Sequence, residues 1–171
     1  MKINPDDVAA NAGKTLLVLP GAGGTGSYII QFAKMAGLTV VPTASRPDSE
    51  QAVKTLGADF VVNHREALKP QLESLNIKEV DYIFNAYKTD VYWDQYAEII
   101  KPKGHIVSIV ETPEKIDMTK LFMKIGSFSW AFMFSKTMHG FELESQGAIL
   151  ASVAQLIDTG KIQIPQVETK A

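Results

Sequence analysis

The sequence predicts an α/β fold, a doubly wound and mostly parallel sheet with helices on both faces. Three observations point there. Apolar runs alternate with helix-like segments along nearly all of the 171 residues. The first run, Leu16-Leu-Val-Leu19, is continuously apolar, as expected of a strand buried on both faces. It feeds a glycine-rich turn, Gly21-Ala-Gly-Gly-Thr-Gly26, which opens a segment with Ile29, Phe32, Ala33 and Ala36 on one helical face. Right-handed crossovers between such units wind a parallel sheet in both directions.

The remaining elements follow in order. Residues 1–12 form a lead-in, and Gly37 closes the first long helix as a C-terminal cap. Leu38–Thr43 reads as the second strand, and Ser49–Leu56 as a helix stopped by Gly57. Phe60–Asn63 reads as a short third strand and Glu66–Leu75 as a helix. Val80–Asn85 is the fourth strand and Val91–Ile100 the next helix. Lys101-Pro-Lys-Gly104 is a turn before a fifth strand at His105–Val110. In Ser127–Phe134 the aromatics Phe128, Trp130, Phe132 and Phe134 recur with period two, which predicts a sixth, edge strand with one aromatic face. Glu142–Ile157 is a closing helix ended by Gly160, and Ile162–Val167 is short and β-like.

The glycine turn suggests chemistry. Strand, G-x-G-x-x-G and helix in succession form the phosphate-binding turn of a dinucleotide site. Gly21 allows a tight turn, Gly23 lets a pyrophosphate approach the backbone, and Gly26 lets the helix pack on the strand. The helix N-terminus then offers free N–H groups and the positive end of its dipole. The hexapeptide alone is weak, because glycine clusters also mark ordinary turns; its strand and helix context gives it weight.

The second strand ends in Thr43-Ala-Ser-Arg46, with no carboxylate to hold a ribose 2′-hydroxyl. Ser45 and the planar guanidinium of Arg46 suit a 2′-phosphate, which predicts NADP(H) as cofactor. The alternatives are that Arg46 is a solvated loop residue, or that Asp48 shifts toward the ribose.

Composition narrows the function classes. The chain is 46% hydrophobic and 21% charged with a net charge of −2, so a sizeable core is expected and nucleic acid is disfavoured as a partner. There is no cysteine, which excludes disulfides, thiolate metal sites and cysteine nucleophiles. The N-terminus lacks a signal-peptide core and no segment reads as a bilayer span, so a cytoplasmic setting without a membrane partner is expected. His64, His105 and His139 are scattered without ligand spacing, so no metal site is predicted. Neither a Tyr-x-x-x-Lys pair nor a G-x-S-x-G elbow occurs, and the glycine turn lacks the Lys-Ser/Thr of an ATP-binding loop. No catalytic residue is assigned. Tyr87, Tyr92, Trp93 and Tyr96 read as packing residues, with nucleotide stacking by Tyr87 as the alternative.

The chain resembles the medium-chain dehydrogenase/reductase superfamily, in its quinone-oxidoreductase-like and zinc-type alcohol dehydrogenase-like branch. The resemblance rests on the glycine turn, Thr43-Ala-Ser-Arg-Pro47, Leu56-Gly-Ala-Asp59, Val62-Asn-His-Arg65, Val80-Asp-Tyr-Ile-Phe84, Lys103-Gly-His-Ile-Val107 and the aromatic stretch. It implies a Rossmann NAD(P)-binding fold over residues 13–161. It further implies that Gly21, Ala22, Gly23, Gly24, Thr25 and Gly26 hold the pyrophosphate, that Ser45, Arg46 and His64 face the 2′-phosphate, that Asn85 and Ala86 line the adenosine side, and that Val110 and Glu111 approach the nicotinamide. The family's lysine after the second strand has Ser49 near its place. Such domains often pair through the edge strand, so a homodimer through 127–134 is expected.

The family's separate catalytic domain has no counterpart here, and 162–171 reads as the start of a return toward it. The expected function is the NADP(H)-binding domain of an oxidoreductase that moves hydride between NADPH and a carbonyl, quinone or activated alkene, with little turnover by itself. A stand-alone redox sensor or a dimerisation module is the alternative.

Overall fold

A computed structural model describes residues 3–4 and 6–165. The chain divides into two compact units, one running to Trp130 and one beginning at Ala131. The first unit starts with the short helix α1 (Val8–Asn11) and then alternates strands and helices: β1 (Thr15–Leu19), α2 (Gly24–Met35), β2 (Thr39–Pro42), α3 (Pro47–Thr55), α4 (Leu68–Ser74), β3 (Val80–Asn85), α5 (Thr89–Ile99) and β4 (Ile100–Ser108). A 3-10 helix (Met118–Lys124) and β5 (Ser127–Trp130) complete it. The sheet is five-stranded and parallel in the order β2-β1-β3-β4-β5.

The continuous apolar run of β1 is explained by its place at the inner part of the sheet. Leu16 and Val18 enter a cluster with Ile30, Ala33 and Val53, from α2 and α3. Leu17 and Leu19 enter the opposite cluster with Leu68, Leu72, Trp93 and Tyr96, from α4 and α5. All five residues of the strand are buried, so each successive side chain feeds a different layer of core.

Four expectations need correction. The buried side of α2 is Gly26, Ser27, Ile30, Gln31 and Ala33, whereas Ile29 and Phe32 are only partly buried. The helix is turned because Gly26 must face the carbonyl of Pro20, where a Cβ would collide. Phe60–Asn63 forms a single parallel bridge, Thr43 with Val62, in place of a strand. Here the Asp59 carboxylate takes the Val40 N–H at 2.7 Å and pairs with Lys34 at 2.7 Å, covering the outer edge of β2 by side chain.

The other two concern the fourth and fifth strands. β4 begins at Ile100, and the expected turn survives as an irregularity in its pairing with Lys103 at φ 63°. β5 ends at Trp130, opposite Ser108, because β4 ends there and offers no further partner. Phe128 packs edge-on against Trp93 and Trp130, at 5.4 and 4.8 Å between ring centres.

In the second unit, Phe132 and Phe134 lie outside any strand and pack on each other at 5.5 Å. It holds a short helix α6 (Ser135–His139) that the sequence did not announce, and α7 (Glu144–Asp158). Residues 162–165 form neither helix nor strand, and the rest of the expected β-like stretch lies outside the described residues. Among the described residues no helix is long and apolar enough to cross a membrane.

Candidate nucleotide-binding cleft

The chain leaves β1 to cross to β2 on one side, and β3 adds on the other. Ligands of open parallel sheets bind where the winding direction reverses, beyond the carboxyl ends of the strands. The glycine turn lies at the carboxyl end of β1.

Its glycines divide into two pairs. Gly21 donates its N–H to Thr43 O at 2.9 Å, and any Cβ there would run into the Pro42 ring; Gly26 is pressed on the Pro20 carbonyl. These two hold the turn against the sheet. A Cβ on Gly23 would only touch the Pro20 ring at 3.4 Å, and one on Gly24 would meet nothing within 4 Å. Gly23 is also the N-cap of α2 and supplies no side-chain cap. The first turn of the helix, with Gly24 and Thr25, therefore remains open to an anion.

Beside the turn lies a cleft of about 320 Å³ lined by Pro20, Ala22, Gly23, Thr43 and Ala44, by Ser45, Arg46 and Ser49, and by His64 and Arg65. Three segments far apart in sequence meet there. Arg46 caps α3 through its backbone in an extended conformation, with Pro47 in the first turn, which leaves its guanidinium unused by the cap. The 62–65 segment is tied to β2 by Ala44 N to Val62 O at 2.9 Å and Val62 N to Pro42 O at 3.2 Å. Gln71 brackets Asn63 through two bonds of 2.7 and 2.9 Å, and Tyr92 donates its hydroxyl to His64 O at 3.2 Å.

Two buried polar atoms in this cleft, Thr43 Oγ1 and His64 Nδ1, have no hydrogen-bond partner among the described residues. Burial lowers the His64 pKa from its ordinary value, and the charge of Arg65 lowers it further. Orphaned buried polar atoms are costly and uncommon, and they are expected where a ligand completes the site. Hydroxyls, guanidiniums and an open helix terminus, with no carboxylate in the lining, fit the phosphate-bearing part of a nucleotide.

The predicted residues thus fall into groups. Ala22, Gly23, Ser45, Arg46 and His64 share the cleft; Gly24 and Thr25 lie on the adjoining helix turn; Gly21 and Gly26 support it from behind. Asn85, Ala86, Val110 and Glu111 belong to the ends of β3 and β4. Asn85 is fully buried and its side chain is saturated: it donates to Thr89 Oγ1 and Ser108 Oγ, both at 3.0 Å, and accepts from Tyr96 Oη at 2.8 Å and Tyr87 N at 3.2 Å. Burial, with Tyr92 nearby, pushes the Tyr96 phenol well above its ordinary pKa and keeps it a donor. Ala86 spends its N–H on Leu19 O at 2.6 Å. Val110 O accepts from Thr89 Oγ1 at 2.8 Å, which fixes the loop before Glu111. The side chain of Asn85 therefore shapes these loops and has no hydrogen bond left for a ligand.

Sequence reasoning overlooked Arg65. The signal was available: the chain has 15 lysines but only two arginines, Arg46 and Arg65, and both line this cleft.

Comparison with known proteins places the chain in a family. A family model described as zinc-binding dehydrogenase matches residues 24–144. A zinc-type alcohol dehydrogenase-like protein of Staphylococcus aureus (strain MSSA476) is 41% identical over 156 residues, 91% of this chain and 47% of that protein. An NADPH-dependent alkenal/one oxidoreductase of Arabidopsis thaliana is 35% identical over 100 residues, 58% of this chain and 24% of that protein. A crystal structure of a Rhizobium etli CFN 42 protein named for the zinc-dependent alcohol dehydrogenases superposes with a TM-score of 0.83 at 32% identity, covering 92% of this chain and 47% of the other.

The chain spans about half the length of the Staphylococcus relative. Zinc figures in these names, yet the described residues bring together no group of three His, Cys, Asp or Glu side chains that could hold a metal. The sheet, its glycine turn and the family match together establish a Rossmann-type nucleotide-binding domain, and the chain belongs to the zinc-binding dehydrogenase family within the medium-chain dehydrogenases/reductases.

Proposed function

We propose that this chain is the NADP(H)-binding part of an oxidoreductase that transfers hydride between NADPH and a carbonyl, quinone or activated alkene. The observation that carries the reading is the cationic cleft at the end of β2, which offers Ser45, Arg46 and Ser49 and no carboxylate where a 2′-phosphate would lie. The NADPH dependence named for the Arabidopsis relative supports it. Bound NADPH supplies the hydride, and the protein supplies binding and orientation. The open turn at Gly23 and Gly24 receives the pyrophosphate. The Asn85–Thr89–Ser108 network sets the loops that follow β3 and β4, on the adenosine and nicotinamide sides. The chain spans about half the length of the Staphylococcus relative, and by itself it should bind cofactor with little turnover.

Calorimetric titration with NADPH and NADH side by side tests the assignment. NADPH should bind at least tenfold more tightly, and Arg46→Ala should remove most of that preference, as expected for loss of a charge-assisted pair to phosphate. Equal affinity for the two cofactors would refute NADP(H) as the cofactor.

We also propose that β5 pairs with a second copy of the chain. Its outer edge has no partner strand among the described residues, and Trp130 is 51% exposed. Beside it, Met118, Leu121, Phe122, Met123 and Ile125 line an open apolar groove of about 920 Å³. Trp130→Glu should convert a dimer to a monomer in sedimentation while circular dichroism stays unchanged; a monomeric parent chain would refute the pairing.

A further inference from the structure

The placement of arginine in this chain is uneven. Of 17 basic Lys and Arg residues only two are arginine, and both line one cleft. All six ion pairs among the described residues are made by lysine, and neither arginine takes part in one. Their side chains also make no hydrogen bond among the described residues, although Arg65 N donates to Asn63 Oδ1 at 3.0 Å and so fixes the backbone from which the side chain springs. That backbone is braced again by Gln71 on Asn63 and by Asn63 Nδ2 donating to Glu66 Oε1 at 3.0 Å. Two free guanidiniums on separately anchored segments, with the buried and unpartnered His64 Nδ1 and Thr43 Oγ1 on residues that line the same cleft, form a seat for a dianion.

We propose that Arg65 is a specificity-determining residue: with Arg46 it grips a phosphomonoester from the second side of the cleft, so that selection of a phosphorylated adenosine rests on the pair. This deepens the NADP(H) reading and rests on it. Nothing in the sequence pattern around the second strand assigns the role, because Arg65 arrives from the segment after the Thr43–Val62 bridge. A planar guanidinium on each side presents two N–H forks and two positive charges to the phosphate dianion, whereas one arginine with serine hydroxyls supplies a single fork and a single charge.

The test uses the full chain and three probes in calorimetry: adenosine 2′,5′-bisphosphate, adenosine 3′,5′-bisphosphate and adenosine 5′-monophosphate. Arg65→Met should weaken the 2′,5′-bisphosphate about tenfold and leave the monophosphate within twofold, while Arg65→Lys should recover part of the loss. Because Arg65 is exposed, the variants should unfold at the same urea midpoint as the parent chain. Arg65→Met without effect, in a chain where Arg46→Met weakens the 2′,5′ probe, would overturn the role of Arg65 and leave the NADP(H) reading standing. Equal loss for bisphosphate and monophosphate would overturn it as well, reducing Arg65 to general attraction. A parent chain that prefers the 3′,5′ isomer, or fails to distinguish the bisphosphates from the monophosphate, would overturn both.

Discussion

The two ends of the sheet's carboxyl edge treat polar groups in opposite ways. At the ends of β3 and β4, Asn85, Thr89, Ser108 and Tyr96 are buried and bonded to one another, with no side-chain hydrogen-bonding capacity of Asn85 left over. At the ends of β1 and β2, Thr43 Oγ1 and His64 Nδ1 are buried with nothing to bond, and two guanidiniums stand free of ion pairs. The first arrangement holds loops; the second has the form that a ligand would complete. A fully satisfied network rigidifies, whereas an unsatisfied one costs stability that only binding returns.

The comparison is most exposed to substitution in the network. Asn85→Leu would leave the buried Tyr96 hydroxyl without its partner and take one hydrogen bond each from Thr89 and Ser108, which keep their bonds to each other and to Val110. It should cost about 2–4 kcal/mol of stability in urea unfolding. A cost near zero would mean that the network is held together without Asn85. Thr43→Val should behave in the opposite sense. It removes a buried hydroxyl that has no partner, so the free chain should be unchanged or more stable by roughly 0.5–1 kcal/mol. The same variant should bind NADPH more weakly than the parent, if that hydroxyl is reserved for the ligand. A destabilised Thr43→Val chain would erase the contrast between the two ends.

Much of the sheet was legible in the sequence because its signals are local. Leu16–Leu19 is a run whose every residue has a core to enter, Val80–Asn85 is buried at Val80 and from Ile83 onward, and the glycine turn must stand between β1 and α2. The misread parts depend on distant partners. Whether Phe60–Asn63 becomes a strand depends on Asp59 taking the Val40 N–H, and where β5 stops depends on the end of β4 at Ser108. Period-two aromatics continue to Phe134 regardless.

The site shows the same division. Ser45 and Arg46 were readable from their place after β2, but Arg65 joins them only through the single bridge between Thr43 and Val62. Asn85 was legible as a position and illegible as a role, since its saturation involves Tyr96 and Ser108, which lie 11 and 23 residues away.

The smallest effect sharpens the same contrast through pH. Burial and the neighbouring Arg65 hold the folded-state pKa of His64 below its ordinary value of 6.5. As pH falls below 6.5, the unfolded chain takes up a proton at this position that the folded chain resists. Stability should therefore decline from about pH 6.5 downward and level off once the folded-state pKa is passed, with no contribution from His64 above that window. His64→Gln should lack this component, and because every other titrating group is common to both chains, the difference between their stability curves isolates it. A saturating phosphorylated adenosine should reverse the sign: a dianion in the cleft favours the imidazolium, so the parent chain should take up protons on binding as pH drops toward 6, and His64→Gln should not. Proton uptake is read from binding heats in two buffers of different ionisation enthalpy. Identical uptake by the two chains would place His64 outside the ligand's reach and leave its unpartnered nitrogen as a defect of packing.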